Sequence, residues 1–190
     1  LVPFGTQCTG AWDRGSVSLA WAASVTTPVS SDQDGNVGSV FVVGDVLVEE
    51  SRGCSATQLL AQAKVGGLGT ISGLNGFYLG CLVDPNGEVA LATDLLGYFP
   101  LYYAIVSDRI FFASSPGLIK QLADAHFEPS PFGIAGVLLT MHIVDGQTIW
   151  KGIYRLSGGS MLHVHPQKGL SVVSGRRLEP SCRFFGLSLN

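Results

Sequence analysis

The chain has little charge and no basic stripe. Of its 190 residues, 13% are Asp, Glu, Lys or Arg, against about 25% in an average soluble protein. The formal net charge is −3, and the longest basic cluster is Arg176-Arg177. Binding to nucleic acid needs a basic surface that displaces counterions from phosphates. We therefore expect no nucleic-acid partner.

Long apolar runs are also missing. Crossing a bilayer as a helix takes about 20 consecutive apolar residues, and the richest stretch, residues 40–48, is interrupted by Gly44 and Asp45. We therefore expect no transmembrane segment. The sequence begins at Leu1, and a removed targeting peptide would leave no trace in it. We expect an intracellular protein, or an organellar one if such a peptide has been removed.

The cysteines and histidines do not form a recognisable metal motif. The four cysteines contain no C-x-x-C pair, which excludes a zinc knuckle, and they are too sparse for a disulfide scaffold; they are Cys8, Cys54, Cys81 and Cys182. We expect them to be packed, reduced thiols. His163 and His165 would share one face of a strand, but no third ligand is apparent. We predict no metal site and no cofactor.

What the chain has in excess is apolar surface. Apolar residues make up 46% of it and the mean hydropathy is +0.36, more than one small core normally requires. An excess of this kind predicts a face that contacts a partner. The length suits one domain, and we treat residues 1–190 as a single domain.

Local patterns predict an α+β fold with largely antiparallel sheets. Short hairpin turns, such as Asp84-Pro85-Asn86-Gly87, connect apolar strands. Ser130 followed by Pro131 predicts a helix start. Residues 1–15 are predicted to be a lead-in strand or loop, 26–36 a polar loop and 66–76 a glycine-rich connection. The predicted strands cover residues 17–24, 39–48, 76–83, 88–92, 100–106, 109–113, 160–165 and 170–173, and the predicted helices 55–64, 115–124 and 130–140.

Four strings in the second half of the chain resemble a known family. They are "LNGFYLGCLVD", "LATDLLGYFPLYY", "FFASS" and "GQTIWKGIYRLSGGSML". Their order and spacing resemble those of glutamine amidotransferase domains of the asparagine synthetase type, over residues 74–162. The resemblance implies an N-terminal-nucleophile-hydrolase-like sandwich of two antiparallel sheets flanked by helices. The synthetase (ATP pyrophosphatase) domain of that family is absent from this sequence.

The resemblance gives "LATDLLGYFPLYY" a mainly architectural role. Gly97 would permit a turn whose backbone conformation is unfavourable for residues with a Cβ. Pro100 would fix the backbone φ at the start of the next strand. Asp94 is predicted to accept backbone N–H groups within the turn. Leu101 and Tyr103 would face the opposite side of the sheet from Tyr102. At position 93 the family pattern has Arg where this chain has Thr93.

The glutaminase residues that the family uses are not found at the matching positions. The family has a cysteine nucleophile at its mature N-terminus, where this chain has Leu1. An N-G-E string supplies the oxyanion hole, and here it reads Val43-Gly44-Asp45. A G-S-D-x-E string binds the substrate amine, and here it reads Gly53-Cys54-Ser55-Ala56-Thr57. The substrate-binding Arg is missing from "SLAWAASVTT", residues 18–27. We predict no catalytic residue and expect no enzyme activity.

Three further motifs suggest catalysis or nucleotide binding, but each lacks residues that the function requires. Cys8 would become a terminal thiol if residues 1–7 were removed, and "CTG" resembles the family's C-G-I start with Thr9 in place of the first Gly. "SGGS", residues 157–160, resembles part of an ATP-binding loop but lacks its Asp, and a tight turn explains it. "GGLG", residues 66–69, lacks the strand-to-helix context and the Lys of a phosphate-binding loop.

Two functions from different classes remain open. The preferred one is a catalytically inactive, amidotransferase-like structural or docking subunit of a larger protein assembly, chosen because the sequence ends at Asn190, where a ligase domain would begin. The alternative is the vestigial N-terminal domain of an asparagine synthetase-like, ATP-dependent amide-forming ligase. A weaker alternative is a glutaminase that uses Cys8 after trimming. The expected partners are accordingly other protein subunits or a ligase domain.

Overall fold

A computed structural model describes residues 7–15, 17–47, 55–72 and 74–174. In these ranges three α-helices and one 3-10 helix accompany eleven strands. The helices are α1 (Ser55–Gly66), the 3-10 helix Leu68–Ser72, α2 (Pro116–Ala123) and α3 (Pro131–Thr140). The strands are β1 (Gln7–Arg14), β2 (Val17–Ser24), β3 (Val29–Asp34), β4 (Gly38–Leu47), β5 (Asn75–Val83), β6 (Val89–Thr93), β7 (Tyr102–Val106), β8 (Arg109–Ala113), β9 (Ile153–Arg155), β10 (Ser160–His165) and β11 (Gly169–Ser174).

The largest sheet has six strands in the order β11-β10-β6-β5-β4-β3, and all its pairs are antiparallel. Successive residues of β4 alternate between its two faces, as pleating requires. Val40 and Val42 join the cluster under α1, whereas Phe41 joins the cluster on the opposite face. Because both faces are buried, the central strands are apolar almost throughout, and every residue of β6 is buried.

Two smaller sheets cover the second face of the large sheet. The β1–β2 hairpin contributes Trp12 and Trp21, whose rings lie 6.0 and 6.5 Å from that of Phe41. The three-stranded sheet, in the order β8-β7-β9, contributes Tyr103 and Phe112 to the same cluster. The main core therefore lies between stacked sheets, as in a β-sandwich.

A third cluster closes the far side of the three-stranded sheet. Ala104 and Ile153 project from β7 and β9 onto Ile119 of α2, and all three side chains are fully buried. The layers thus run α1, large sheet, small sheets, α2. The predicted α+β class and the sandwich of antiparallel sheets flanked by helices are confirmed.

Both α2 and α3 begin after a capping serine, and Ser130 is the one that the sequence predicted. The Ser115 hydroxyl accepts from the Leu118 N–H at 3.3 Å, and the Ser130 hydroxyl accepts from the Gly133 N–H at 3.1 Å. Pro occupies the first turn of both α2 and α3. Among the described residues, no helix has the length and apolar character needed to cross a bilayer.

One segment prediction is wrong, and one strand was missed. Residues 26–36 are not a continuous polar loop, because β3 occupies part of that range and pairs with β4 at one edge of the large sheet. The short strand β9 was not predicted. It has three residues, too few for an alternating pattern to stand out. Residues 7–14 form strand β1, one of the two predicted alternatives.

Candidate functional site

The residues around Asp94 form a closed, self-satisfied turn. The Asp94 carboxylate is fully buried and accepts the Leu96 N–H at 2.9 Å and the Tyr98 N–H at 3.0 Å. Its backbone carbonyl accepts the Gly97 N–H at 2.9 Å. The predicted structural role of Asp94 is confirmed in its contacts. Every oxygen of Asp94 is used to hold the chain in place, which leaves none directed at a ligand.

The "SGGS" segment packs directly on this turn. Gly97 has a φ of 62°, and an added Cβ there would lie 3.2 Å from the Gly158 Cα. The Gly159 N–H donates to the Asp94 carbonyl at 2.7 Å. The buried Thr93 hydroxyl donates to the Ser157 carbonyl at 3.0 Å. Residues 157–160 are therefore a tight turn seated on a second turn, and the resemblance to an ATP-binding loop has no structural counterpart.

The strand after the turn alternates as the resemblance implies. Leu101 and Tyr103 lie in the core between the sheets, whereas Tyr102 packs in the cluster beneath α2. The string "LLGYFPLYY" thus contributes side chains to the apolar clusters on both faces of the three-stranded sheet. Packing therefore explains Leu101, Tyr102 and Tyr103, whereas Leu96 and Tyr98 of the turn are exposed.

The strand that would carry the oxyanion hole is β4, at residues 43–45. Val43 contributes an apolar side chain to the inter-sheet cluster, so this position offers no side-chain donor. The Gly44 N–H donates to the Pro28 carbonyl at 2.8 Å. Asp45 is exposed. Both groups that would stabilise an oxyanion are therefore replaced or already bonded within the chain.

An aromatic group lies against Gly44. A Cβ built on Gly44 would be 2.6 Å from a Phe99 ring carbon and 2.1 Å from the Phe77 carbonyl oxygen. Tyr98 makes edge contacts with both Phe77 and Phe99, at ring separations of 5.4 and 5.2 Å. This aromatic group, Phe77, Tyr98 and Phe99, gives the surface beside Gly44 an apolar character rather than a polar one.

The segment that would bind the substrate amine starts α1 and is used structurally. The Ser55 hydroxyl oxygen accepts the Val46 N–H at 3.0 Å, and the Ala56 N–H donates to the Ser30 hydroxyl at 3.1 Å. Ser55 thus connects α1 to β4. Leu1, Gly53 and Cys54, which also entered the sequence comparison, lie outside the described residues.

The two described cysteines differ from each other. Cys81 is buried in the inter-sheet core, and burial raises the pKa of its thiol to about 12. Cys8 is exposed on β1, opposite Ala23 of β2, and both thiols are free. The expectation of a packed thiol is therefore wrong for Cys8, because β1 forms an edge of a two-stranded hairpin. Cys54 and Cys182 lie outside the described residues.

The histidine pair has a carboxylate partner that the sequence did not reveal. Glu88, just before β6, lies 2.9 Å from Nε2 of His163 and 3.3 Å from Nε2 of His165. Nδ1 of His165 accepts the N–H groups of Gln167 and Lys168 at 3.1 and 3.2 Å. Because Nδ1 is the acceptor, a neutral His165 carries its hydrogen on Nε2. In this arrangement neither ring nitrogen has a free lone pair for a metal. Among the described residues, no group of three or more such side chains is arranged to hold a metal ion.

A groove of about 490 Å³ lies at the opposite end of β4 from Gly44. Its lining includes Arg14, Gly38, Asp84 and Pro85, which belong to the hairpin ends of the sandwich. The described residues at the family's oxyanion and amine-binding positions, 43–45 and 55–57, do not contribute to it. Asp84 already accepts two backbone N–H groups of its own turn. The groove is thus unrelated to the position where the family binds glutamine.

Comparison with known proteins identifies the family. The model of the glutamine amidotransferase domain matches residues 49–172, roughly two thirds of the sequence. The chain therefore belongs to the glutamine amidotransferase domain family. None of the curated proteins compared matches it.

One of the matching solved structures is a glutamine phosphoribosylpyrophosphate (PRPP) amidotransferase from B. subtilis complexed with ADP and GMP. It is 14% identical, with a TM-score of 0.47. The match covers 80% of this chain and 32% of that one. The chain thus spans about a third of the length of that structure.

Proposed function

We propose that this amidotransferase domain releases no ammonia from glutamine and serves instead as a structural or docking subunit of a larger protein assembly. The observation that carries the proposal is the state of Gly44. Its N–H donates to Pro28, and the preceding residue is a valine.

The chemistry of amide hydrolysis explains why this matters. Attack on the glutamine carbonyl places a negative charge on its oxygen, and two preorganised donors normally stabilise that charge. Removing a single donor of an oxyanion hole lowers kcat by about 10²–10³-fold. With Val43 apolar and the Gly44 N–H already bonded, both donors are unavailable to a substrate.

Support for docking comes from helix α3. Four large apolar side chains of the helix, and that of Met141 at its C-terminal end, are exposed by 37% to 84%. The four in the helix are Phe132, Ile134, Leu138 and Leu139. Of the ten residues in the helix, only Gly133 is buried. A contiguous apolar surface of this kind is characteristic of a protein–protein contact.

Cys8 is the specific feature that favours residual glutaminase activity. Its thiol is exposed on β1, which pairs with β2. The segment after β2 contains Pro28, whose carbonyl accepts the Gly44 N–H, so Cys8 lies on the hairpin that precedes this contact. If trimming exposed an α-amine at Cys8, that amine would be a base of suitable pKa for a thiol nucleophile. The oxyanion donors would still be missing.

The decisive experiment is ammonia release from glutamine. We expect none above background from the full chain or from a variant that begins at Cys8. The variant Val43→Asn restores one side-chain donor, but we expect no activity from it because the Gly44 N–H remains bonded to Pro28. Ammonia release from the trimmed chain that disappears in Cys8→Ser would overturn the proposal.

The ligase alternative is tested by what the domain binds. Its expected partner is an ATP-dependent amide-forming domain, encoded with this one or copurifying with it. Reconstituting the two and finding that amide formation requires this domain would favour the ligase alternative over a docking subunit of a different assembly.

A further inference from the structure

We propose that the docking face on α3 binds a second copy of this chain, as two α3 helices packed antiparallel about a twofold axis near Ala135. The proposal rests on the docking function proposed above and names its partner. It follows from how α3 is attached to the domain and from what its outward side presents.

One side of α3 is fixed to the segment that follows it. A Cβ on Gly133 would lie 1.8 Å from the Thr148 carbonyl oxygen, and one on Gly136 would lie 3.3 Å from a Val144 methyl. The Ser130 N–H also donates to the Ile149 carbonyl at 2.8 Å. This close packing sets the orientation of the helix, because residues 133, 136 and 137 share one side.

The opposite side presents a small residue between two apolar edges. At about 100° per residue, Ala135 lies at the centre of the outward side. Phe132 and Leu139 form one edge, and Ile134 and Leu138 form the other. The small side chain of Ala135 allows another helix to approach closely at this point.

This arrangement is self-complementary. In a twofold contact, if residue i of one copy touches residue j of the other, then j also touches i. The midpoint between Phe132 and Leu139 in the sequence falls next to Ala135, and so does the midpoint between Ile134 and Leu138. An antiparallel pair would therefore place Phe132 against Leu139 of the second copy, and Ile134 against Leu138.

Charge and area agree with a second copy as the occupant. Residues 129–141 contain no charged side chain, so two copies meet without like-charge repulsion, and there is no charge pattern to select a different protein. An aromatic ring such as that of Phe132 buries on the order of 150–250 Å², and the four exposed aliphatic side chains enlarge the apolar area towards the ~800 Å² per partner of a standard interface. Ile149, 40% exposed, is adjacent, since its backbone N lies 3.2 Å from a Cβ built on Gly133.

Sedimentation equilibrium of the full chain over the micromolar range tests the proposal. We expect a concentration-dependent dimer. Phe132→Lys and Leu139→Glu should each weaken dimerisation by about tenfold or more, since each places a charge in an apolar contact. Combining them should restore the dimer, because the introduced lysine of either copy would then meet the introduced glutamate of the other. Val65→Glu is the matched control, since Val65 is an 89% exposed apolar residue on α1.

A wild-type chain that stays monomeric overturns the proposal, as does a dimer that both single substitutions leave intact. A double variant that remains monomeric overturns the antiparallel pairing. Circular dichroism on each variant checks folding, and Leu138→Glu provides a second disruption if Leu139→Glu does not fold. Ammonia release measured on the same samples separates the two ideas: a monomer without activity refutes only the dimer, whereas activity refutes the proposed function.

Discussion

The turn around Asp94 follows strand β6 of the large sheet, the sheet that also contains Gly44 on β4. The two regions differ in how far they match the family pattern. In the turn, the Asp, the Gly and the Pro-Leu-Tyr that follow are all present, and the carboxylate has two backbone donors. In the strand, the glycine remains but the donor beside it is a valine. The turn thus keeps most of the family pattern, apart from Thr93 in place of Arg, whereas of these two positions in the strand only the glycine matches.

The difference reflects how much each region contributes to the stability of the fold. A buried carboxylate without its donors would cost stability directly, so the turn cannot change without affecting folding. A valine at the half-buried position 43 adds apolar contact to the inter-sheet cluster. The fold therefore tolerates change at position 43 more readily than at Asp94.

The largest expected effect comes from Asp94→Ala. The substitution removes the fully buried carboxylate that accepts the Leu96 and Tyr98 N–H groups, and losing two such charge-assisted hydrogen bonds should lower the free energy of unfolding by about 3 kcal/mol. Urea denaturation followed by tryptophan fluorescence measures it. Asp94→Asn retains one acceptor oxygen and should lose less. Equal stability of wild type and Asp94→Ala would show that the turn is not held by this carboxylate.

A smaller effect is expected from Gly97→Ala. The left-handed φ of 62° costs a residue with a Cβ about 1–2 kcal/mol, and the close Gly158 backbone adds strain. Gly35→Ala is the matched control, because no atom lies within 4 Å of its added Cβ. If both variants unfold at the same urea concentration, the turn is looser than its contacts imply.

Tyr78 connects the two regions and gives a pH-dependent test. It pairs with Gly44 in the sheet, and its carbonyl accepts the Asp94 N–H at 3.0 Å. Burial first, and then the charge of Asp94, raise the pKa of its phenol to about 12 from 10.0, although a backbone hydrogen bond with Leu74 opposes the rise. In the unfolded chain the phenol ionises near pH 10, so its contribution to stability is complete below pH 10 and is lost as pH rises towards 12.

The expected loss is about 1.4 kcal/mol per pH unit over that window. Tyr78→Phe has no proton to lose, so its stability should fall less steeply above pH 10. It should also be less stable at neutral pH, because the hydroxyl donates to the Ile71 carbonyl. Parallel stability curves for the two proteins above pH 10 would contradict the buried phenol.

The smallest effect is expected at Cys8. Because its side chain is exposed on an edge strand, Cys8→Ser should leave the unfolding midpoint unchanged. Alkylation of the native protein, mapped by mass spectrometry, should modify Cys8 and spare Cys81 until the chain unfolds, since burial keeps the Cys81 thiol protonated and inaccessible. Modification of Cys81 at the rate of Cys8 would show that the inter-sheet core opens readily.

Much of the fold could be predicted because local signals agreed with each other. The hairpin of β7 and β8, the cap Ser130 and strand β10 all had alternating or capping patterns. β3 was missed because its sequence, VSSDQD, is polar on an edge strand whose exposure makes apolar alternation unnecessary. Propensity alone does not distinguish such a strand from a loop.

The site was less predictable because its decisive contacts join distant residues. The absence of Asn at position 43 could be read directly from the sequence. The Pro28–Gly44 hydrogen bond depends on how β3 pairs with β4, a pairing the sequence did not predict. Glu88 was missed as the partner of His163 for a similar reason, since 75 positions separate them.

Hydrogen exchange at the Gly44 amide, measured by NMR on ¹⁵N-labelled protein, tests the central claim most directly. If the N–H is committed to Pro28, it should exchange as slowly as the amides of its bonded neighbours within the large sheet. An amide at Gly44 that exchanges as fast as an unprotected loop residue would mean that the donor is free to stabilise an oxyanion, and would contradict the account.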